Sequence, residues 1–281
     1  MPLSLLLPVL AQVGIGGVMP SPPLQIPTRK DKPAVTQPAP PAKPSILQQC
    51  LQLAMERPSD GIEVADAWLA KATTQTDRAG AKQCKALAFT RIEGWNEAAT
   101  LFLGARDELP AADHAERARL GSLGGNAWIV AGDFGLALAA LNAAHGDAAS
   151  AGAGKLDGLI QIDRARALVA LGRTDEAATA LSEARRLVPD NAQAWLLSAT
   201  LTRRTGKLAE AQVQIERAAD LLPIDPEIGL EAGVIAVLSG RDEAARLSWQ
   251  SVIKAAPNSA AAKTAQGYLD QLGLPAAQSG R

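Results

Sequence analysis

The chain has 281 residues, of which 47% are hydrophobic and only 3% aromatic, and its formal net charge is -1. That balance offers no general attraction to nucleic acid or to anionic lipid, and no basic stripe with interleaved aromatics overrides it. The apolar content is mostly alanine and leucine, which suits helices packed closely on one another.

The chain opens on an apolar, uncharged run from Pro2 to Val18 that includes Leu3, Leu5, Leu6, Leu7, Val9 and Leu10. A membrane span takes about 20 apolar residues, whereas the apolar region of a secretory signal takes about 7–15. Val9-Leu10-Ala11 supplies a small-residue cleavage site before Gln12, although no lysine or arginine precedes the run. Residues 1–18 are therefore expected to be a signal peptide, giving a periplasmic or otherwise exported protein without a transmembrane helix in the mature chain. A plain apolar tail on a cytoplasmic protein is the alternative. Residues 19–44 carry nine prolines, a density that excludes a folded element and predicts a disordered, extended linker. A folded domain is expected over 45–273 and a disordered tail over 274–281.

Within that domain a second-helix signature of alanine, large apolar residue and alanine recurs. It stands at Ala65-x3-Leu69-x2-Ala72, at Ala98-x3-Phe102-x2-Ala105 after Gly94 and before Pro110, and at Ala137-x3-Leu141-x2-Ala144 after Gly132. The interval of 40 from Gly132 to Gly172 is longer than the later ones, and the excess falls in the glycine- and alanine-rich stretch 146–155. This predicts a loop or hinge between two blocks.

From Gly172 onward the period is regular. Pro189, Pro223 and Pro257 are 34 apart, as are Gly172, Gly206 and Gly240, then Ala177, Ala211 and Ala245, then Asn191, Asp225 and Ser259. A fixed period of this length marks a stacked repeat architecture. Each unit reads as two helices: a glycine able to adopt the left-handed conformation ends the first, and Thr174-Asp175-Glu176 starts the second with a capping hydroxyl and acids on the positive dipole end. Asn191, Asp225 and Ser259 cap the next first helix, with Pro226 at a first helical position.

These residues resemble the tetratricopeptide repeat family, whose pattern is matched by Trp195, Gly206, Ala211, Ile215, Ala218 and Pro223. The flanking copies have Gln161 and Gly229 in place of the tryptophan. The resemblance implies an all-α, right-handed superhelical solenoid of about six helix-turn-helix repeats with a capping helix at the C-terminus. It also implies that the first helices line a concave groove. By spacing, that groove presents Ile162, Arg166, Leu196, Thr200, Arg203, Arg204, Glu227, Glu231 and Val234, beside Asp163, Val169, Leu197 and Val237.

The family's clamp for a peptide C-terminal carboxylate would need lysine, asparagine and arginine at Ile162, Arg166, Leu197, Glu227 and Glu231, of which only Arg166 is basic. The chain is therefore not expected to be a co-chaperone of that kind. A better fit is an amphipathic helix or extended segment with a basic end toward Glu227 and Glu231 and an acidic group toward Arg203 and Arg204. Cys50 and Cys84, also 34 apart, fall at equivalent heights on neighbouring first helices. They form either a disulfide stapling the first repeats or two buried thiols, since helix axes stand about 8–10 Å apart and a disulfide needs Cβ atoms within about 4.5 Å.

Catalytic chemistry finds little support. His114 and His145 sit in no metal-ligand spacing, two cysteines without a neighbouring histidine cannot complete a zinc site, and Gly152-Ala153-Gly154-Lys155 lacks the first glycine and the hydroxyl residue of a phosphate loop. The five tryptophans are expected to pack helices together. The reading is a non-enzymatic scaffold of the cell envelope without a cofactor, binding an unidentified protein or peptide and no nucleic acid. A small-molecule or peptide-binding component of an export or assembly machine is the alternative.

Overall fold

A computed structural model describes residues 44–273 as α-helices and short connections, with no strand among the described residues. The expected leader 1–18, the linker apart from Pro44, and the tail 274–281 lie outside the described residues. The helices form six pairs. These are α1 (Ile46–Glu56) with α2 (Pro58–Lys71), α3 (Gln75–Arg91) with α4 (Trp95–Glu108), and α5 (His114–Ala131) with α6 (Phe134–Ser150). They continue as α7 (Gly154–Ala170) with α8 (Thr174–Leu187), α9 (Ala192–Arg204) with α10 (Leu208–Leu221), and α11 (Pro226–Leu238) with α12 (Asp242–Ala255), before the single helix α13 (Ala260–Leu272). Each helix packs on the next in the chain, which is the contact pattern of a helical-repeat solenoid.

Local chemistry explains the punctuation. The side chains of Asn191, Asp225 and Ser259 accept from free amides at the starts of α9, α11 and α13, at 3.2, 2.9 and 3.0 Å. Gly132, Gly172, Gly206 and Gly240 have φ of 84, 73, 80 and 72°, where a side chain would be strained, and each ends a first helix. The second helices start differently from expectation. Arg173, Lys207 and Arg241 hold the N-cap positions of α8, α10 and α12 without a side-chain bond, and Thr174 lies inside α8. The residue after each glycine has ψ of 63–64°, outside the helical range, so the cap position falls on a basic side chain and no hydroxyl cap is made.

The alanine signature is what brings the pairs together. Ala98, Ala105, Ala137, Ala144, Ala177, Ala184, Ala211 and Ala218 are all fully buried, with Phe102, Leu141, Leu181 and Ile215 buried between them. A side chain that ends at Cβ lets backbones approach closely, and a larger one would overpack the seam. Glycine extends this logic at Gly80 and Gly233, where the indoles of Trp68 and Trp249 occupy the space a Cβ would need.

Most of 146–155 is helix rather than loop. Helix α6 runs unbroken to Ser150, and only 151–153 form a turn before α7. Ala148 is fully buried, while Asp147 is held by Arg106 of α4 at 2.6 Å and faces Arg117 of α5 at 3.7 Å. These contacts outweigh the helix-weakening effect of Gly146. The longer interval comes from longer helices: α6 has 17 residues against 14 in α8, and α7 has 17 against 13 in α9.

At the N-terminal end Cys50 of α1 and Cys84 of α3 are disulfide-bonded with Cα atoms 5.9 Å apart. Ala54 and Ala88, one turn further along each helix, are fully buried beside them. Small residues at this crossing let the two helices come closer than ordinary side chains would permit.

Candidate functional site

The groove-lining positions separate into two groups. Arg166, Thr200 and Arg204 line an open cavity of about 210 Å³ between α7 and α9, together with Val169, Leu197 and, as its floor, Leu181 of α8. Val234 lines a second cavity of about 400 Å³ between α11 and α13, with Val237, Tyr268, Leu272 and, as its floor, Trp249 of α12. Trp249 is 2% exposed and its indole N–H donates to the Leu230 carbonyl at 3.2 Å, which holds the ring in place.

Ile162 and Leu196 are not groove residues. Ile162 is 3% exposed and packs with Ala184, Val188 and Ala194, while Leu196 is 8% exposed and packs with Ile215 and Ile228. Successive helical residues turn by about 100°; Leu197, next after Leu196, lines the α7/α9 cavity, whereas Asp163, next after Ile162, is itself buried and lines neither cavity. Glu227 is exposed in the first turn of α11 and lines neither cavity.

Arg203 and Glu231 bind each other. Arg203 Nε and Nη2 donate to the two Glu231 carboxylate oxygens at 2.5 and 3.2 Å, with side chains 19% and 11% exposed. The expected division of the groove into an acidic subsite and an arginine subsite therefore fails at these two residues, because their charges neutralise one another across the α9/α11 seam. Arg204 is exposed and makes no ion pair among the described residues.

Arg166 Nη1 donates to Asp163 at 2.5 Å. Burial raises the Asp163 carboxyl above the usual range, and hydrogen bonds from Asn126 and the charge of Arg166 offset this only in part. Polarity at this end of the groove thus comes from Arg204 and from Arg166, which the buried Asp163 carboxyl holds from behind.

Trp249, Tyr268 and Leu272 were not among the groove positions read from sequence. The period could have found Tyr268 and Leu272, which stand two periods after the groove positions Thr200 and Arg204, but not Trp249, which stands two periods after Leu181 of the second-helix row. Trp195 plays another part: it is half-buried against the α9/α10/α11 core, donates to the Pro189 carbonyl at 3.0 Å and lies under the Arg185 guanidinium at 5.1 Å. Each histidine pairs with one aspartate, His114 with Asp147 and His145 with Asp157. No group of three or more metal-ligating side chains is gathered among the described residues, and none of their helices is long and apolar enough to cross a membrane.

A family model described as "Tetratricopeptide repeat" matches residues 162–226, and no curated protein matches the sequence. Among solved structures the chain is similar to PilW, described as a type IV pilus biogenesis factor, with 15% identity over 80% of this chain and 100% of that one and a TM-score of 0.63. It is similar to pilF of Pseudomonas aeruginosa, with 14% identity over 80% of this chain and 98% of that one and a TM-score of 0.62. It is also similar to YrrB, described as a tetratricopeptide-repeat protein with an unusual peptide-binding site, with 17% identity over 73% and 99% and a TM-score of 0.51. At these identities the likeness is one of fold.

Proposed function

The chain is a tetratricopeptide-repeat protein, and from that premise we propose that it is a non-enzymatic scaffold of the cell envelope which holds a protein or peptide segment against α7, α9, α11 and α13. The observation that carries this reading is the pair of open apolar cavities on the first-helix side. Open apolar cavities with few fixed charges suit side-chain anchors of a partner.

Placement in the envelope rests on two features. A disulfide between Cys50 and Cys84 suits an oxidising compartment, and the apolar run 1–18 has the length of an export signal. The larger, aromatic-walled cavity near Trp249 also favours a second reading, a small-molecule or peptide-binding component of an export or assembly machine.

A photo-reactive residue placed at Thr200 tests the first reading in the native host, with Val213 on an exposed site as the control. A discrete partner cross-linked from Thr200 and not from Val213 supports the groove. Equal capture from both sites sinks it. An intact Met1 or Pro2 terminus in protein isolated from that host would remove the export assignment.

A further inference from the structure

The two cavities are one site repeated. Arg166, Val169, Leu181, Thr200 and Arg204 around the first correspond, two 34-residue periods along, to Val234, Val237, Trp249, Tyr268 and Leu272 around the second. The seam between them, α9 against α11, is the same position one period along from the first. There Val169 is replaced by Arg203 and Leu197 by Glu231, and the resulting ion pair spans the seam.

We infer, resting on the groove reading above, that the groove binds an extended peptide whose two apolar side chains stand six positions apart, with an acidic residue two positions before the first, on the same face. Neighbouring helices lie about 8–10 Å apart, so two steps separate the cavities by roughly 16–20 Å. An extended chain rises about 3.3 Å per residue and alternates its faces, so an even separation of about six residues reaches both cavities from one face.

The bridge favours an extended backbone over a helix. Arg203 spends Nε and Nη2 on Glu231 and keeps Nη1, while each carboxylate oxygen keeps acceptor capacity. An extended segment carries unpaired N–H and C=O groups that can use them; a helix interior has none to offer. Charge sets the direction. Arg204, which makes no ion pair among the described residues, stands at the α7/α9 cavity beside Arg166, bonded to Asp163, whereas the charge at the α11/α13 cavity is Arg203, already neutralised by Glu231. The acid therefore lies at the α7/α9 end. The other end accepts the larger anchor, since its cavity is about 400 Å³ against about 210 Å³ and is walled by Trp249 and Tyr268, whose rings lie 5.2 Å apart.

The test titrates the full chain with end-capped, fluorescein-labelled peptides carrying an Asp-Ala-Leu segment and a phenylalanine three, six or eleven positions after the leucine, read by anisotropy. The six-position peptide is expected to bind at least tenfold more tightly than the three-position one. Changing its aspartate to lysine should weaken binding at least fivefold, and Arg204→Ala should abolish that difference. Thr200→Trp, which fills the first cavity, should remove the dependence on leucine without altering the helical circular dichroism, and Arg204→Lys should retain the preference for aspartate. Tightest binding at eleven positions, the spacing of three helical turns, overturns the inference, as does indifference to spacing. If no peptide binds while the cross-linker at Thr200 still captures a partner, this inference falls and the groove reading stands. If both fail, both fall.

Discussion

Arg203 and Glu231 stand one period after Val169 and Leu197, and the exchange of an apolar pair for an ion pair closes the α9/α11 seam. The pair is largely shielded from solvent and bonded through two oxygens. Glu231→Ala would leave the guanidinium without its acceptor and is expected to cost about 2 kcal/mol. The double variant Arg203→Val, Glu231→Leu restores the apolar pair of the preceding repeat and should return to within about 1 kcal/mol of the native protein. Urea denaturation of both variants checks this, and a double variant as unstable as Glu231→Ala would refute it.

The disulfide closes a loop with a sequence separation of 34. Loop-closure entropy for that length gives about 3–4 kcal/mol of stabilisation relative to the reduced chain. Replacing both cysteines by alanine should therefore lower stability by that order. The effect should concentrate in α1 to α3, where amide exchange is expected to accelerate most, because repeat proteins transmit stability through nearest neighbours. Uniform acceleration along the chain would contradict this.

Two carboxyls, the half-buried Asp147 and the buried Asp163, should titrate with opposite signs. At Asp147 burial raises the pKa, but the hydrogen bond and charge of Arg106, with His114 and Arg117, outweigh it and leave the carboxyl lowered. Its contribution is complete above the ordinary carboxylate range and is lost as pH falls through the lowered value. At Asp163 burial prevails and the carboxyl is raised, so ionisation there costs stability at neutral pH and the cost is relieved as pH falls through the raised value. Asp147→Asn should be less stable than the native protein at neutral pH and lose the difference in acid. Asp163→Asn should be more stable at neutral pH and lose its advantage in acid. Thermal melts across this range decide both.

Gly233 meets the indole of Trp249, and its substitution leaves no room for both groups. Gly233→Ala is expected to cost about 1–3 kcal/mol and to shift the emission of Trp249 as the ring is displaced toward the α11/α13 cavity. A variant with native stability and an unchanged emission maximum would count against the packing described.

The α6 segment from Gly146 to Ser150 should behave as helix. With Ala148 fully buried and Asp147 tied to Arg106, its amides are expected to exchange as slowly as those of α8. Exchange at the rate of the 151–153 turn would restore the loop reading. Composition suggested a loop here because glycine and alanine are ambiguous locally, and the ion pair that decides the matter comes from a residue 41 positions earlier.

The sequence alone determined the repeat. Capping residues, left-handed glycines and alanine rows act within one helix or one turn, so the 34-residue period, the helix pairs after Gly154 and the capping helix α13 could all be read from spacing. The same period, carried two units further, would have placed Tyr268 and Leu272 in the groove. Tertiary structure decided the rest. Which of Leu196 or Leu197 faces the groove depends on a rotation of one residue, which a spacing that admits both neighbours cannot resolve, and Ile162 and Asp163 are both buried. Whether Arg203 and Glu231 reach toward a ligand or toward each other depends on how close α9 and α11 stand. That distance is set by the packing of Leu196, Ile215 and Ile228 beneath them, a three-body contact that no single helix encodes.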